Sequence, residues 1–124
     1  MNLLSRIAGG LCLAFFTTQL HAQPLSKADV YTASWEEFDD YGKIAANGKP
    51  FDPNLMTCAT RKWSLGTILK VTDSHNGLSV IVRVTDRPAK RFGTTRIDLS
   101  PKAFRVLNGL ELGTCEVNVH ALMK

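Results

Sequence analysis

The chain has 124 residues, with 15 Lys and Arg against 11 Asp and Glu, giving a formal net charge of +4. This length supports one small domain with a single core and leaves no room for a second. The cationic excess is mild, and Lys90-Arg91 and Arg61-Lys62 are isolated pairs. That argues against a nucleic-acid partner and suits an anionic envelope polymer.

Residues 1–22 read as a secretory signal peptide. Arg6 supplies the positive start, Ile7 to Phe16 is apolar, and Leu20-His21-Ala22 places a small residue before a cut at Gln23. The apolar run falls short of the roughly 20 residues that a membrane helix needs, so no transmembrane segment is expected. Cys12 follows Gly10-Leu11 and lies too early to be a lipidated cysteine. An exported protein, periplasmic or secreted, is therefore expected. In an oxidising compartment the two remaining cysteines, Cys58 and Cys115, predict a disulfide.

Residues 23–29 form a polar lead-in with a proline, and residues 30–124 the folded domain. Val30 to Trp35 is a β-rich run. Residues 36–53 hold Gly42, Gly48, Pro50 and Pro53 and predict one long irregular loop, a length often tied to function. Strands follow at 56–60 and 67–72, the second with Leu69 and Val71 on one face. Asn76-Gly77 marks a hairpin turn. Leu78, Val80, Val82 and Val84 then alternate with Ser79, Ile81, Arg83 and Thr85, the clearest period of two in the chain. Arg96 to Leu99 is short and extended. Ser100 as N-cap and Pro101 at the first helical position open a short helix over about 101–108, ended by Asn108-Gly109. Cys115 to Leu122 is the last strand, with Val117, Val119 and Ala121 on one side. About six strands and one helix predict an all-β barrel or sandwich.

Five segments stand out in order. They are Ala33-Ser34-Trp35, Ala46-Asn47-Gly48 with Phe51-Asp52, Leu65-Gly66-Thr67, Val82-Arg83-Val84-Thr85-Asp86-Arg87, and Arg96-Ile97-Asp98-Leu99-Ser100. Each is weak alone; in this order, across residues 33–121, the set resembles the rare lipoprotein A family. The resemblance implies a six-stranded double-psi β-barrel, related to barwin-like and expansin domains, with a glycan-binding groove. It also implies a peptidoglycan lytic transglycosylase acting on naked glycan strands. The chain departs from the family pattern at three places. The family's Glu after the Asn/Ser-Gly turn is Lys49, its His aligns with Thr60, and the Gly-Pro after Asp-Arg has lost its glycine at Arg87-Pro88-Ala89. Asp86 alone remains of the acidic and histidine set.

Breaking a glycosidic bond requires a proton on the leaving oxygen. In a lytic transglycosylase the sugar's own 6-hydroxyl attacks, so one carboxyl can serve as both acid and base. Asp86, at the end of an apolar strand, is the candidate catalytic residue; the alternative is an ion pair with Arg87 or Arg96 that only ties loops together. Asp98 is an alternative acid, but is assigned a structural role, binding backbone amides near Ser100 and the helix start. Glu36 and Glu37, with Asp39 and Asp40, read as a solvated acidic loop, with replacement of the missing Glu as the alternative. The substrate-binding candidates are Lys49 for a lactyl or stem-peptide carboxylate, Thr60 for one hydrogen bond, Arg87, and Trp35 and Trp63 as sugar-stacking platforms. Phe51 is assigned to the core. His75 and His120 have no partner at metal-ligand spacing, so no metal and no cofactor are expected, and a monomer is. Three functions compete: an enzyme using Asp86, a non-catalytic glycan-binding module, and a secreted protein-interaction domain such as an inhibitor.

Overall fold

The computed structural model describes residues 30–36, 40–107 and 113–124. The signal peptide, the lead-in, Glu37, Asp39 and the Asn108-Gly109 helix stop lie outside the described residues.

Six strands close into a barrel in the order β1-β5-β2-β4-β3-β6. They are β1 (Val30–Trp35), β2 (Thr57–Thr60), β3 (Ile68–Asp73), β4 (Ser79–Asp86), β5 (Arg96–Leu99) and β6 (Thr114–Met123). β1 with β5 and β2 with β4 are parallel; the other four pairings are antiparallel. Closure leaves no strand edge unpaired. The period of two holds from Val80 to Val84, which face inward with Leu69, Val71, Val117 and Val119 while Ile81 faces out; Leu78, expected on the inward face, precedes β4 and is exposed, and Thr85, expected outward, is buried. Ala121 departs from its predicted face. A register shift between Ile68 and Leu69 breaks the alternation there, and Ala121 is exposed.

The β3–β4 turn forms around Asp73. Its Oδ1 accepts the backbone N–H groups of His75 (2.7 Å) and Asn76 (3.0 Å), and Gly77 takes a positive φ of 75°. Asn76 Nδ2 donates to the Leu107 carbonyl at 2.7 Å, tying the turn to the end of α1 (Pro101–Leu107). Ala103, Phe104 and Leu107 of α1 are buried in the same core as the barrel strands. Ser100 caps the helix as expected, its Oγ accepting the Ala103 N–H at 3.3 Å and donating to the Leu55 carbonyl at 2.5 Å.

The long loop is more ordered than its composition suggested. An Ile44–Pro50 bridge, with Ala45 N–H to the Lys49 carbonyl (2.8 Å) and Phe51 N–H to the Lys43 carbonyl (2.7 Å), folds it into a small hairpin. Phe51 is buried, its ring 5.7 Å from that of Tyr41.

The predicted Cys58–Cys115 disulfide is not formed. Cys58 is on β2 and Cys115 on β6, half a turn apart around the ring. Facing β-layers pack about 10 Å apart, whereas a disulfide needs Cα atoms within about 7 Å. Even number and compartment are compositional signals and carry no such geometry. Burial instead pushes the Cys58 thiol up, out of the reactive range.

Two outcomes follow from this packing. Adding a reductant leaves the melting temperature unchanged; a drop of several degrees would show the cysteines joined. Ser100→Ala removes the helix cap and the bond to the Leu55 carbonyl, lowering stability by about 0.5–2 kcal/mol in urea denaturation with the barrel intact.

Candidate functional site

Strand pairing brings three carboxyl-bearing positions to one rim of the barrel. Ala59 of β2 pairs with Asp98 of β5 on one side and with Asp86 of β4 on the other. Two strand spacings, about 10 Å, separate those two backbones, and the Ala59 methyl floors the space between them. β1 adds the third group. Trp35 is opposite Leu99, and Glu36 N–H donates to the Leu99 carbonyl at 3.0 Å, so Glu36 leaves the strand beside the same space. The result is a cleft of about 400 Å³ whose lining includes Trp35, Glu36, Ala59, Asp86 and Asp98.

Each carboxyl is held differently. Asp86 Oδ1 accepts two backbone N–H groups, Ala46 at 2.9 Å and Arg87 at 2.8 Å. The Ala46-Asn47-Gly48 turn thus has a job: Asn47 N–H donates to the Thr85 carbonyl (3.1 Å), Gly48 turns the chain at φ 82°, and Ala46 N–H is aimed at Asp86. Asp86 Oδ2 accepts no hydrogen bond from a described residue. The expected alternative of an ion pair to Arg87 or Arg96 does not occur. Arg87 Nη1 donates to the carbonyls of Thr60 and Trp63, and Arg96 pairs elsewhere.

Asp98 does not bind the amides near Ser100 that were expected for it. Its Oδ1 takes the Arg96 Nε–H at 2.7 Å and the Ser34 hydroxyl, while Arg96 Nη2 donates to Ser34 Oγ at 2.8 Å. Asp98, Arg96 and Ser34 form a closed triangle spanning β5 and β1. The Arg96 guanidinium also covers the Phe92 ring at 3.9 Å, and Arg91 covers the same ring at 4.7 Å.

Glu36 is not part of the solvated loop expected for it. It is 7% exposed, and its Oε2 is buried without a hydrogen-bond partner among the described residues. Burial first, then the charges of Asp86, Asp98 and Asp40, push its carboxyl up to about 8. A run of four acidic residues in five, 36–40, looked solvated. Only the Glu36–Leu99 backbone bond shows that the first of them still follows the barrel wall, and no local pattern announces it.

Of the other expected site residues, Trp35 and Arg87 line the cleft and the rest do not. Lys49 is exposed on the 44–50 hairpin. Thr60 is fully buried, its hydroxyl accepting the Lys62 N–H at 3.2 Å. Trp63 packs on Tyr31, ring centroids 5.3 Å apart, and lines a separate hollow of about 500 Å³ with Lys62, Ser64 and residues 121–124. That hollow holds none of the three carboxyls. Among the described residues no His, Cys, Asp and Glu group has metal-binding geometry, and no helix is long and apolar enough to cross a membrane.

Comparison with known proteins gives this geometry a family. A family model described as lytic transglycolase matches residues 27–119. The endolytic peptidoglycan transglycosylase RlpA of Pseudomonas aeruginosa is 38% identical over 103 residues, covering 80% of this chain and 30% of its own length. That of Neisseria meningitidis is 33% identical over 91 residues, covering 73% of this chain and 38% of its own. The chain thus spans about a third of the curated relatives it matches. Among solved structures, an expansin of Clavibacter michiganensis in complex with cellohexaose superposes with a TM-score of 0.59 at 23% identity, over 76% of this chain and 50% of that one, a likeness of fold. With the closed six-stranded barrel, the Ala46-Asn47-Gly48 turn on Asp86 and these matches together, the chain belongs to the RlpA-like lytic transglycolase family of double-psi β-barrels.

Proposed function

We propose that this protein is exported and acts at the cell envelope, binding naked peptidoglycan glycan strands and cutting them at the Asp86 cleft without water. The observation that carries this reading is the state of Asp86: one oxygen is fixed by two backbone N–H groups and the other is left open in a cleft. A group so fixed is pre-oriented to exchange a proton with a bound sugar. Trp35 offers an apolar face in the same cleft, suited to stacking on a pyranose ring, and Arg91 is an exposed cation at its border for a lactyl carboxylate. The RlpA relatives support peptidoglycan as the substrate class.

A non-catalytic glycan-binding module is the second reading. It is favoured by Lys49 standing where the family has a carboxylate, and by Thr60, buried and without a basic nitrogen, where the family has a His.

Digestion of stem-peptide-free glycan strands by the mature protein separates the two. Mass spectrometry is expected to find 1,6-anhydro ends, formed at a rate reduced about 100-fold or more in Asp86→Asn. Retention on insoluble peptidoglycan with no such products would support the binding module.

A further inference from the structure

We infer that Glu36 is the proton donor of this cleft, a second catalytic residue that divides the acid and base work with Asp86. The inference rests on the cleaving reading above and deepens it. Three observations carry it. Glu36 is more than nine-tenths buried, yet it lines the cleft. Its Oε2 has no hydrogen-bond partner among the described residues, so no structural bond accounts for a buried carboxyl there. The third carboxyl of the cleft, Asp98, is committed to Arg96 and Ser34, which leaves Glu36 and Asp86 as the pair able to exchange protons.

The roles follow from the surroundings. Around Glu36 stand Asp86 from β4, Asp98 from β5 and Asp40 from the loop. Arg87, Arg91 and Arg96 also line the cleft, and the Cys58 thiol feels the Glu36 charge from the barrel interior. Arg96 spends its charge on Asp98 and Arg87 donates to backbone carbonyls. Burial and the neighbouring carboxylates therefore dominate, and Glu36 holds its proton up to about pH 8. Asp86, with Oδ1 fixed by amides, offers Oδ2 as the acceptor.

The cycle balances without water. The Glu36 carboxylic acid gives its proton to the glycosidic oxygen. The C1–O bond breaks with its electron pair going to that oxygen, leaving an oxocarbenium-like muramoyl C1. The muramoyl 6-hydroxyl oxygen bonds to C1 and loses its proton to Asp86. Passage of that proton from Asp86 to Glu36 restores the starting state. The products are a strand with a free 4-hydroxyl and a strand with a 1,6-anhydro end.

The test uses the mature protein, two substrates and the variants Glu36→Gln and Asp86→Asn. The first substrate is stem-peptide-free glycan strands. The second is a dinitrophenyl glycoside of the N-acetylglucosaminyl–N-acetylmuramic acid disaccharide, whose phenolate departs without a proton. Glu36→Gln is expected to lose about 100-fold or more on strands and less than about 10-fold on the aryl glycoside. Asp86→Asn should lose activity on both. The wild-type rate on strands should fall as pH rises through about 8, a limb missing with the aryl glycoside. Equal losses of Glu36→Gln on both substrates, or near wild-type activity on strands, would overturn the Glu36 role and leave the cleaving reading standing. A wild type that cuts neither substrate overturns both.

Thermal melts of the same variants check the fold. The Glu36 carboxyl sits higher in the folded state (about 8) than in the unfolded chain (4.5), so its contribution to stability is complete below 4.5 and is lost as pH rises through about 8. Glu36→Gln should lack that decline and melt at least as high as wild type at pH 8. A Glu36→Gln protein that is unfolded at every pH would assign Glu36 to the fold and overturn the proposal.

Discussion

Burial of one carboxyl beside two others, crowded at one rim of a small barrel, is the constraint on which the site depends. β1, β5 and β4 each deliver one acid to the same cleft, with only the Ala59 methyl between Asp98 and Asp86. Like charges in a partly dry space cannot all be present at little cost. The fold resolves this in three ways. Asp98 is neutralised by Arg96, Asp86 is satisfied by two amide donors, and Glu36 keeps its proton. The asymmetry is an outcome of pairing and burial, and it is the asymmetry that acid–base chemistry needs.

The elements around the cleft serve that arrangement. The Ala46-Asn47-Gly48 hairpin is anchored to Thr85 so that one N–H meets Asp86. Arg87 points away from Asp86 to clamp the chain after β2 through the Thr60 and Trp63 carbonyls. Arg61 adds a bond to the Pro88 carbonyl at 2.8 Å, holding the segment that lost the family's glycine. These bonds tie the loops of the closed barrel to its strands.

Much of the fold was legible in the residues. The alternation of Val80, Val82 and Val84, the Asn76-Gly77 turn, and Ser100-Pro101 opening a helix all act locally and stand as read. Asp86 and the Ala46-Asn47-Gly48 turn stood out in separate motifs, but the segment holding that turn read as an irregular loop, and nothing local showed that it folds into a hairpin whose N–H meets Asp86. What was not legible depends on pairings distant in sequence. Cys58 and Cys115 looked like partners until ring order put them on opposite walls. Asp98 was given backbone amides because Ser100 is near in sequence, whereas Arg96 and Ser34 are near in space. Glu36 looked like the start of an acidic loop because nothing in Trp35-Glu36-Glu37 records that Leu99 waits beside it.

Glu36 retains its proton because it is buried, with the Asp86 carboxyl beside it. Carbon-13 NMR titration of the Glu36 side-chain carboxyl tests this most directly, in wild type and in Asp86→Asn. The wild-type midpoint is expected near 8 and moves to lower pH in Asp86→Asn. A midpoint near 4.5 in both proteins would contradict it.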